Sequence, residues 1–406
     1  MKATLTYRIR SLFGAFALGF LMLGVASCGG GGSAGGGGGI GGTGSPSTLG
    51  TVNFSLTDAP ACGFDAVNVT IERVRVHTSD SAVDGDAGWS EVVLSPARRF
   101  NLLDLTNGAL ADLGSTTLPP GKYTQLRLVL ADNGGATPLA NSVRPSGGSE
   151  VALTTPSAQQ SGIKINVDID VAAGQTADVV LDFDACKSVV RRGNSSQYNL
   201  KPVISATSVV SSVGLRIVGY LVPSVAAGTT TVSVQTAGVP VKSTKPDGTG
   251  AFVLYPVPAG TYDLVIASPS RVTAVVTGVP VTTTATTTLN GAGSPINPTA
   301  VSTATVSGSV TPAASGIVRA LQTFTGGPTV EAAFTPVDAT SGAYTFTLPI
   351  GSPLKAAYDV NASTPAFVAD LAAASKFTIQ AASGAATQQR AIDLGFALPG
   401  LNFTFP

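Results

Sequence analysis

The sequence predicts an all-β protein made of three β-sandwich-like domains. Val, Thr, Gly and Ala are common where a helical protein would use Leu, Glu, Lys and Met, and 48 glycines and 26 prolines supply turns. Many short segments alternate apolar and polar residues with the two-residue period of a half-buried strand. The 406 residues are enough for two or three domains, and apolar residues, at 44%, can fill several cores.

The charge balance argues against nucleic acid as a partner. Basic and acidic side chains number 23 each, and residues 1–27 contain Lys2, Arg8 and Arg10 but no acid. Removal of that segment leaves 23 − 3 = 20 basic and 23 acidic groups, a net charge of −3. No segment forms the basic patch that phosphate backbones require.

Residues 1–27 have the layout of a secretory signal peptide. The three basic residues precede an apolar stretch at 12–26, which is shorter than the roughly 20 residues that a transmembrane helix needs. The sequence VASC at 25–28 follows and resembles the bacterial lipobox. The resemblance implies that Cys28 is lipidated, for example with palmitate, and becomes the mature N-terminus. An uncleaved anchor or an incidental free thiol is the alternative.

A Gly/Ser-rich tether at 28–49 separates this cysteine from the first predicted strand. It contains almost nothing that could form a core, and about 22 flexible residues reach about 25 Å. Gly29 follows the cysteine, whereas in lipoproteins an aspartate there favours the inner membrane. The resemblance therefore implies a protein of the bacterial cell envelope, lipid-anchored at the outer membrane.

Two further cysteines, Cys62 and Cys186, lie in the first predicted domain, 50–212. An exported chain meets an oxidising compartment, so the pair predicts one disulfide. Two buried free thiols are the alternative. Neither cysteine has Cys or His at metal-ligand spacing, so no zinc site is expected.

Two patterns in this domain predict where side chains point. In 124–130, Leu126, Leu128 and Leu130 are expected to face the core, with Gln125 and Arg127 outward. In 65–78 the apolar residues change parity, and a strand cannot change faces without an extra residue, so a β-bulge is expected near residues 72–73. The residues of the two parities are Val67, Val69 and Ile71, then Val74 and Val76.

Residues 163–183 form two alternating runs joined at Gly174, which predicts a β-hairpin. A symmetric register would place Asp170 opposite Asp178 and Lys164 opposite Asp184. Like charges directly opposed are destabilising, and calcium, which prefers oxygen ligands, would relieve the repulsion. A hydrated acidic face is favoured over calcium, because no loop has the compact spacing of a calcium site. The candidate ligands are Asp168, Asp170, Asp178, Asp182 and Asp184.

Four segments carry a family resemblance: GTVNFSLTDAPACGFDAVNVTIERVRVH, FNLLDLTNG, LPPGKYTQLRLVL and AGQTADVVLDFDACKSVV with YNLKPVI. In this order they resemble the bacterial family catalogued as domain of unknown function 4382, over about residues 50–210. The resemblance implies an exported, often lipid-anchored, β-rich domain with no established activity. It carries over no functional residue.

The second predicted domain, 213–292, contains GTGAFVLYPVPAGTYDLVIAS at 248–268. This resembles the carboxypeptidase-regulatory-like and transthyretin-like sandwiches, in which a Pro-x-Gly-x-Tyr turn leads into a core strand. Pro258, Gly260 and Tyr262 match that turn, and so do Pro119, Gly121 and Tyr123 in the first domain. The glycine permits the tight reversal and the aromatic ring covers the core.

The third predicted domain, 300–406, follows a Thr/Pro-rich run at 281–300 that is expected to mark the boundary. TSGAYTFTLPIGSPLKAAYDV, at 340–360, repeats the second domain's pattern, with an insertion around Ser352–Lys355. A short helical turn is expected within 371–380, and the segment GLNFTFP is expected to be the last strand.

The residues argue against an enzyme. Hydrolytic triads need a base, and His77 is the only histidine. It is expected to share an outward, solvated strand face with Arg73 and Arg75, in preference to a catalytic or anion-binding role. The second domain has no glutamate, so a Lys–Asn isopeptide cross-link promoted by one is not expected within it.

The predicted function is therefore that of a non-enzymatic, lipid-anchored envelope protein. It would present its domains for adhesion, envelope structure or binding of an unknown protein or polysaccharide, with no cofactor. The alternative is a carbohydrate-binding module, or an accessory subunit or enzyme acting on polysaccharide. Aromatic residues are only 6% of the chain and Trp89 is the single tryptophan, which makes sugar stacking less favoured.

Overall fold

The fold is known from a computed structural model, which confirms the all-β class. Strands dominate, and the four helical segments in the described residues have three or four residues each. The structure describes residues 48–59, 63–156, 158, 161–193, 196–209, 213–226, 229–313, 316–396 and 400–406.

Two sheets enclose the core of the first sandwich, within residues 50–209. The strands are β1 (Gly50–Asp58), β2 (Phe64–His77), β3 (Ser90–Asn101), β4 (Ala111–Leu118), β5 (Gly121–Leu130), β6 (Ser142–Pro145), β7 (Val151–Thr154), β8 (Ile163–Val171), β9 (Thr176–Phe183), β10 (Val189–Arg191), β11 (Tyr198–Leu200) and β12 (Ile204–Val209). One sheet has the order β12-β9-β1-β4, and the other β10-β11-β7-β6-β2-β5-β8 with β3 paired to β2. A 3-10 helix (Leu102–Leu105) and α1 (Ala185–Ser188) join strands.

The predicted β-bulge in β2 is confirmed. Its register with both β3 and β5 shifts between Ile71 and Arg73. The extra residue returns the later apolar side chains to the core, so that Val74 and Val76 are as buried as Val67 and Val69.

The predicted hairpin at 163–183 is wrong. β8 pairs with β5 in the larger sheet, whereas β9 pairs with β1 and β12 in the smaller one. Gly174, at φ +67°, lies in the connection that crosses from one sheet to the other. Each strand has one apolar face, and the two faces cover the same core from opposite sides.

The expectation that Gln125 and Arg127 face solvent is also wrong, although the three leucines of β5 are buried as predicted. The connection from β2 to β3 covers this face. Gln125 Nε2 and Arg127 Nη2 both donate to the carbonyl of Ala82, at 3.2 and 2.8 Å. The alternation predicted the apolar face correctly but could not show that a loop covers the polar one.

Residues 217–288 supply seven strands of the second sandwich and α2 (Pro223–Ala226). The strands are β13 (Ile217–Tyr220), β14 (Thr231–Thr236), β15 (Val239–Thr244), β16 (Ala251–Leu254), β17 (Gly260–Ser268), β18 (Arg271–Val281) and β19 (Thr287–Thr288). The sheets run β16-β13-β19 and β15-β14-β17-β18. The run at 281–300, expected to be a boundary, belongs to this sandwich, because Leu289 and Ile296 lie in its core.

The third sandwich repeats this topology. Its strands are β20 (Thr303–Thr311), β21 (Ile317–Thr323), β22 (Thr329–Pro336), β23 (Ala343–Pro349), β26 (Lys376–Ser383), β27 (Ala386–Asp393) and β28 (Phe403–Thr404), with β24 (Leu354–Ala357), β25 (Val368–Ala369) and a 3-10 helix (Leu371–Ala373) between β23 and β26. The sheets run β23-β20-β28 and β22-β21-β26-β27, which is the strand order of the second sandwich. The expected last strand and helical turn are both present.

The insertion expected near residue 352 extends the second sandwich. β24 pairs in parallel with β18, from Ala274 opposite Leu354 onward, and β25 pairs with β24. The larger sheet of the second sandwich therefore has six strands, in the order β15-β14-β17-β18-β24-β25. Residues 354–369 belong to that sheet, although the sequence placed them in a separate domain at 300–406.

The two Pro-x-Gly-x-Tyr turns have the same geometry. The Tyr123 hydroxyl donates to the Pro119 carbonyl at 3.1 Å, and the Tyr262 hydroxyl donates to the Pro258 carbonyl at 2.8 Å. Each strand that follows begins at the glycine, and both rings are buried. The prediction that these turns lead into core strands is confirmed.

Candidate functional site

The five candidate aspartates do not form one acidic face. Because β8 and β9 lie in different sheets, the predicted oppositions of Asp170 with Asp178 and of Lys164 with Asp184 are wrong. Asp170 lies opposite Lys122 across β5 and β8. Lys122 Nζ is 2.8 Å from Asp168 Oδ1, and this ion pair is largely exposed.

The aspartates of β9 have separate partners. Asp178 Oδ1 accepts from Asn53 Nδ2 at 2.7 Å. Asp184 caps α1 by accepting from the Lys187 amide, and Asp182 contacts Lys242 of the second sandwich. Among the described residues, no three His, Cys, Asp or Glu side chains come close enough together to hold a metal ion.

His77 does not lie on a solvated strip. Its Nδ1 accepts from the Ser79 amide at 2.9 Å and its Nε2 lies 3.0 Å from the Ala87 carbonyl, so both ring nitrogens are engaged within the protein. Accepting at Nδ1 places the ring hydrogen of neutral His77 on Nε2. The expectation of a solvated face is wrong because the β2–β3 connection folds over the end of β2.

Two guanidinium groups lie close to the Trp89 ring. The Arg75 and Arg127 groups are 4.6 and 4.8 Å from the ring centroid, and Trp89 Nε1 donates to the Val83 carbonyl at 2.9 Å. The arginines hold this ring against the protein, and Asp84 forms an ion pair with Arg75. These contacts tie the β2–β3 connection to the sheet.

Trp89→Leu is expected to lower the free energy of unfolding of the first sandwich by about 1–2 kcal/mol, because two cation–π contacts are lost. Urea unfolding followed by circular dichroism measures the change. Phe396→Leu is the control, since the Phe396 ring is exposed. Equal, negligible effects of both substitutions would contradict a stabilising role for the Trp89 contacts.

The cysteine predictions fall partly outside the described residues, since Cys28 and Cys62 both lie there. Cys186 is buried in α1. The end of β1 lies beside this helix, because Asp58 pairs with Phe183 and the Ala59 amide donates to the Phe183 carbonyl at 3.3 Å. The Cys62–Cys186 disulfide stays a prediction, and the position of Ala59 supports it.

The three sandwiches meet at a polar junction. We define the junction by six residues at or beside the contacts between the sandwiches: Asp58, Asp182, Gln235, Lys242, Arg319 and Glu331. All six lie within the compact unit Pro46–Pro406. Only Asp182 among them is a candidate predicted from the sequence, because residues in separate segments carry no local signal of contact.

The first link of the junction joins the first and second sandwiches. Lys242 Nζ is 2.7 Å from Asp182 Oδ1, with side-chain exposures of 3% and 15%. Asn107 adds a second contact between the same sandwiches. Its backbone amide donates to Thr244 Oγ1 at 2.9 Å, and its side-chain Oδ1 accepts from the Val253 backbone amide at 2.6 Å.

The second link joins the second and third sandwiches. Gln235 Nε2 donates to the Glu331 carbonyl at 2.9 Å, and Gln235 Oε1 accepts from the Glu331 amide at 2.8 Å. β22 is an edge strand, so the glutamine side chain pairs with its open edge as another strand would. Arg319 contacts the Glu331 carboxylate and donates to the Gly238 carbonyl.

A cleft of about 500 Å³ lies beside the junction and is lined by residues of all three sandwiches. Hydroxyl groups such as those of Ser233 and Thr231 line it, with the phenyl rings of Phe334 and Phe346. Glu331 lies in its wall, and burial raises the pKa of this carboxyl. The lining is mostly apolar and includes the acidic residues Asp184 and Glu331.

Asp58 is the most deeply buried acid of the junction. Burial raises the pKa of Asp58 well above its usual value, although its Oδ1 accepts from the Ala185 amide at 2.9 Å. The folded state therefore holds this proton more tightly than the unfolded state does. The stabilisation that Asp58 contributes is complete below the pKa that its carboxyl has in the unfolded chain. It is lost as the pH rises toward the higher pKa that the carboxyl has in the folded protein.

Asp58→Asn is expected to remove this part of the pH dependence. In wild type the contribution of Asp58 to the free energy of unfolding falls by up to about 1.4 kcal/mol per pH unit from about pH 4 upward. In the variant the free energy of unfolding no longer contains this fall. Urea midpoints between pH 4 and 7 measure it. Asp247→Asn is a control whose effect on the pH dependence has the opposite sign. The Thr249 hydroxyl lowers the pKa of Asp247, so the stabilisation from Asp247 is lost as the pH falls. Parallel profiles for wild type and Asp58→Asn would contradict the prediction.

Comparison with known proteins gives few relatives. No curated protein matches the chain. A mutant type II cohesin–X–dockerin complex from Acetivibrio cellulolyticus is 31% identical over 22% of this chain and 59% of that chain, with a TM-score of 0.19. A streptococcal ancillary pilin is 7% identical over 87% of this chain and 98% of that chain, with a TM-score of 0.15. TM-scores this low establish neither a shared fold nor a shared activity.

The family comparison agrees with the sequence resemblance. Residues 49–202 match the family described as "Domain of unknown function (DUF4382)". The matched range covers the first sandwich almost completely, and the resemblance of the later domains to carboxypeptidase-regulatory-like units stays a prediction. The chain therefore carries a DUF4382 domain at residues 49–202.

Proposed function

We propose that this chain is a non-enzymatic, lipid-anchored protein of the bacterial envelope that presents one rigid β body for adhesion or partner binding. The junction is the observation that carries the proposal. Three sandwiches on flexible linkers would move independently, whereas buried polar contacts hold these three in one arrangement. A rigid body at the end of a tether can transmit force and can present a composite binding surface.

The anchoring part of the proposal depends on residues 1–49. The charged start, the apolar stretch and the VASC motif support export and lipidation at Cys28. Among the described residues, no helix is long and apolar enough to cross a membrane. The Gly/Ser-rich segment supports a tether of variable orientation.

Membrane fractionation of a bacterium that expresses the full chain tests the anchor. Wild type is expected in the membrane fraction after a high-salt wash and in the detergent extract. Cys28→Ala is expected to lose this detergent-dependent partition, because it has no thiol to acylate. Ser27→Ala is the matched control, since a small residue remains before the cysteine. A Cys28→Ala variant that partitions like wild type would overturn the anchor.

Binding to isolated envelopes and to purified envelope polysaccharide tests the presentation. The soluble body, residues 46–406, is the probe, because these residues form one compact unit. If binding is saturable and the Gln235→Ala substitution weakens it, the result supports a binding surface that spans the second and third sandwiches. Turnover of the polysaccharide would overturn the non-enzymatic part of the proposal.

A further inference from the structure

The contact between Lys242 and Asp182 differs from an ordinary ion pair. Nζ and Oδ1 are only 2.7 Å apart, yet neither atom has a hydrogen-bond partner, because the pair lacks hydrogen-bond geometry. Lys242 is buried between two sandwiches, and the Asp182 side chain is 15% exposed. The exposed pair Lys122–Asp168 has nearly the same separation, 2.8 Å, but side-chain exposures of 55% and 70%.

A third unpaired group lies near this contact. Asp58 Oδ2 is buried without a hydrogen-bond partner. β1 and β9 are parallel neighbours with Thr57 opposite Asp182 and Asp58 opposite Phe183, so the Asp58 and Asp182 side chains lie on opposite faces of the sheet. Asp182 and Lys242 both act electrostatically on the Asp58 carboxyl, and burial keeps that carboxyl protonated to unusually high pH. Asp58 is therefore an electrostatic neighbour of the Lys242–Asp182 contact.

Such an environment favours condensation. A buried ammonium and a largely buried carboxylate are costly to hold, and an amide bond between the two groups removes both charges. The Lys242 nitrogen is held against the carboxyl group of Asp182, so the reaction avoids the entropy loss of a bimolecular encounter. Exclusion of water by the two sandwiches opposes hydrolysis of the product.

We propose that Lys242 and Asp182 form an intramolecular isopeptide bond that joins the first and second sandwiches covalently. The lone pair of Nζ attacks Cγ of Asp182, the Nζ–Cγ bond forms, and a Cγ–O bond breaks to release one water molecule. A proton passes from the nitrogen to the leaving oxygen, which departs as water. Ammonium plus carboxylate give amide plus water, so atoms and charge balance without an oxidant or other co-reactant. The proposal is independent of lipidation at Cys28.

The intact mass of the purified, reduced protein tests this bond. Wild type is expected to be lighter by about 18 Da than its sequence requires, because one water is lost. Trypsin is expected to leave Lys242 uncleaved and to release residues 165–187 joined to 217–271 as one branched peptide. Lys242→Arg is expected to restore the full mass, and Lys122→Arg, in the exposed pair, is expected to keep the loss.

Two results would overturn the proposal. One is a folded wild-type protein of full sequence mass in which trypsin cleaves after Lys242. The other is a mass loss that persists in Lys242→Arg. The wild-type mass decides the bond even where a variant does not fold.

Discussion

Gly250→Ala is expected to lower the free energy of unfolding of the second sandwich by about 4 kcal/mol or more. A Cβ atom at this position would lie 1.8 Å from the Leu221 carbonyl oxygen, and Gly250 has φ +90°. The Leu221 amide also donates to the Gly250 carbonyl at 2.8 Å, so the two backbones cannot separate without losing that bond. Urea or thermal unfolding measures the loss.

Gly278→Ala is the matched control for this prediction. Gly278 has φ +73°, but nothing lies within 4 Å of an added Cβ atom. Only the backbone conformation opposes the side chain, at about 1–2 kcal/mol. The difference between the two variants isolates the collision. A Gly250→Ala protein as stable as Gly278→Ala would contradict the close approach of Gly250 to the Leu221 carbonyl.

Gln235→Ala is expected to uncouple the third sandwich from the second. The substitution leaves the Glu331 amide and carbonyl without their partners at a buried edge strand, which costs about 1–3 kcal/mol for each group. Differential scanning calorimetry is expected to show a separate transition at lower temperature, because the third sandwich then unfolds without support from its neighbour.

Gln389→Ala is the control for this uncoupling. Gln389 lies in β27 of the same sandwich and its side chain is exposed, so its removal is expected to change the melting profile little. A single unchanged transition in Gln235→Ala would contradict the role of this contact in holding the sandwiches together.

The sequence repeat of the second and third sandwiches has a physical basis that only the structure explains. Asp247 and Asp338 each accept hydrogen bonds from backbone amides of the turn that follows. Gly250 and Gly342 then pass so close to a neighbouring strand that a Cβ atom would lie within 2.1 Å of a carbonyl oxygen. The aspartate, glycine and aromatic pattern is visible in the sequence because these constraints are local to one turn.

The local features of this protein could be predicted from its residues alone. Strands, the parity change in β2, the two proline–glycine–tyrosine turns and the family of residues 49–202 all depend on neighbours close in the chain. An alternating pattern shows which face of a strand is apolar, and a turn residue shows where the chain reverses. Both signals come from a few consecutive side chains.

Tertiary structure alone decided which surfaces cover those faces. In the folded protein β8 and β9 lie in different sheets, β24 and β25 belong to a sheet of the second sandwich, and Lys242 contacts Asp182. Alternation is the same for a strand in either sheet, and a lysine in an alternating strand has the pattern of a solvated residue. The residues in these contacts come from distant segments of the chain. Their contacts therefore produce no periodic pattern in the sequence of either segment.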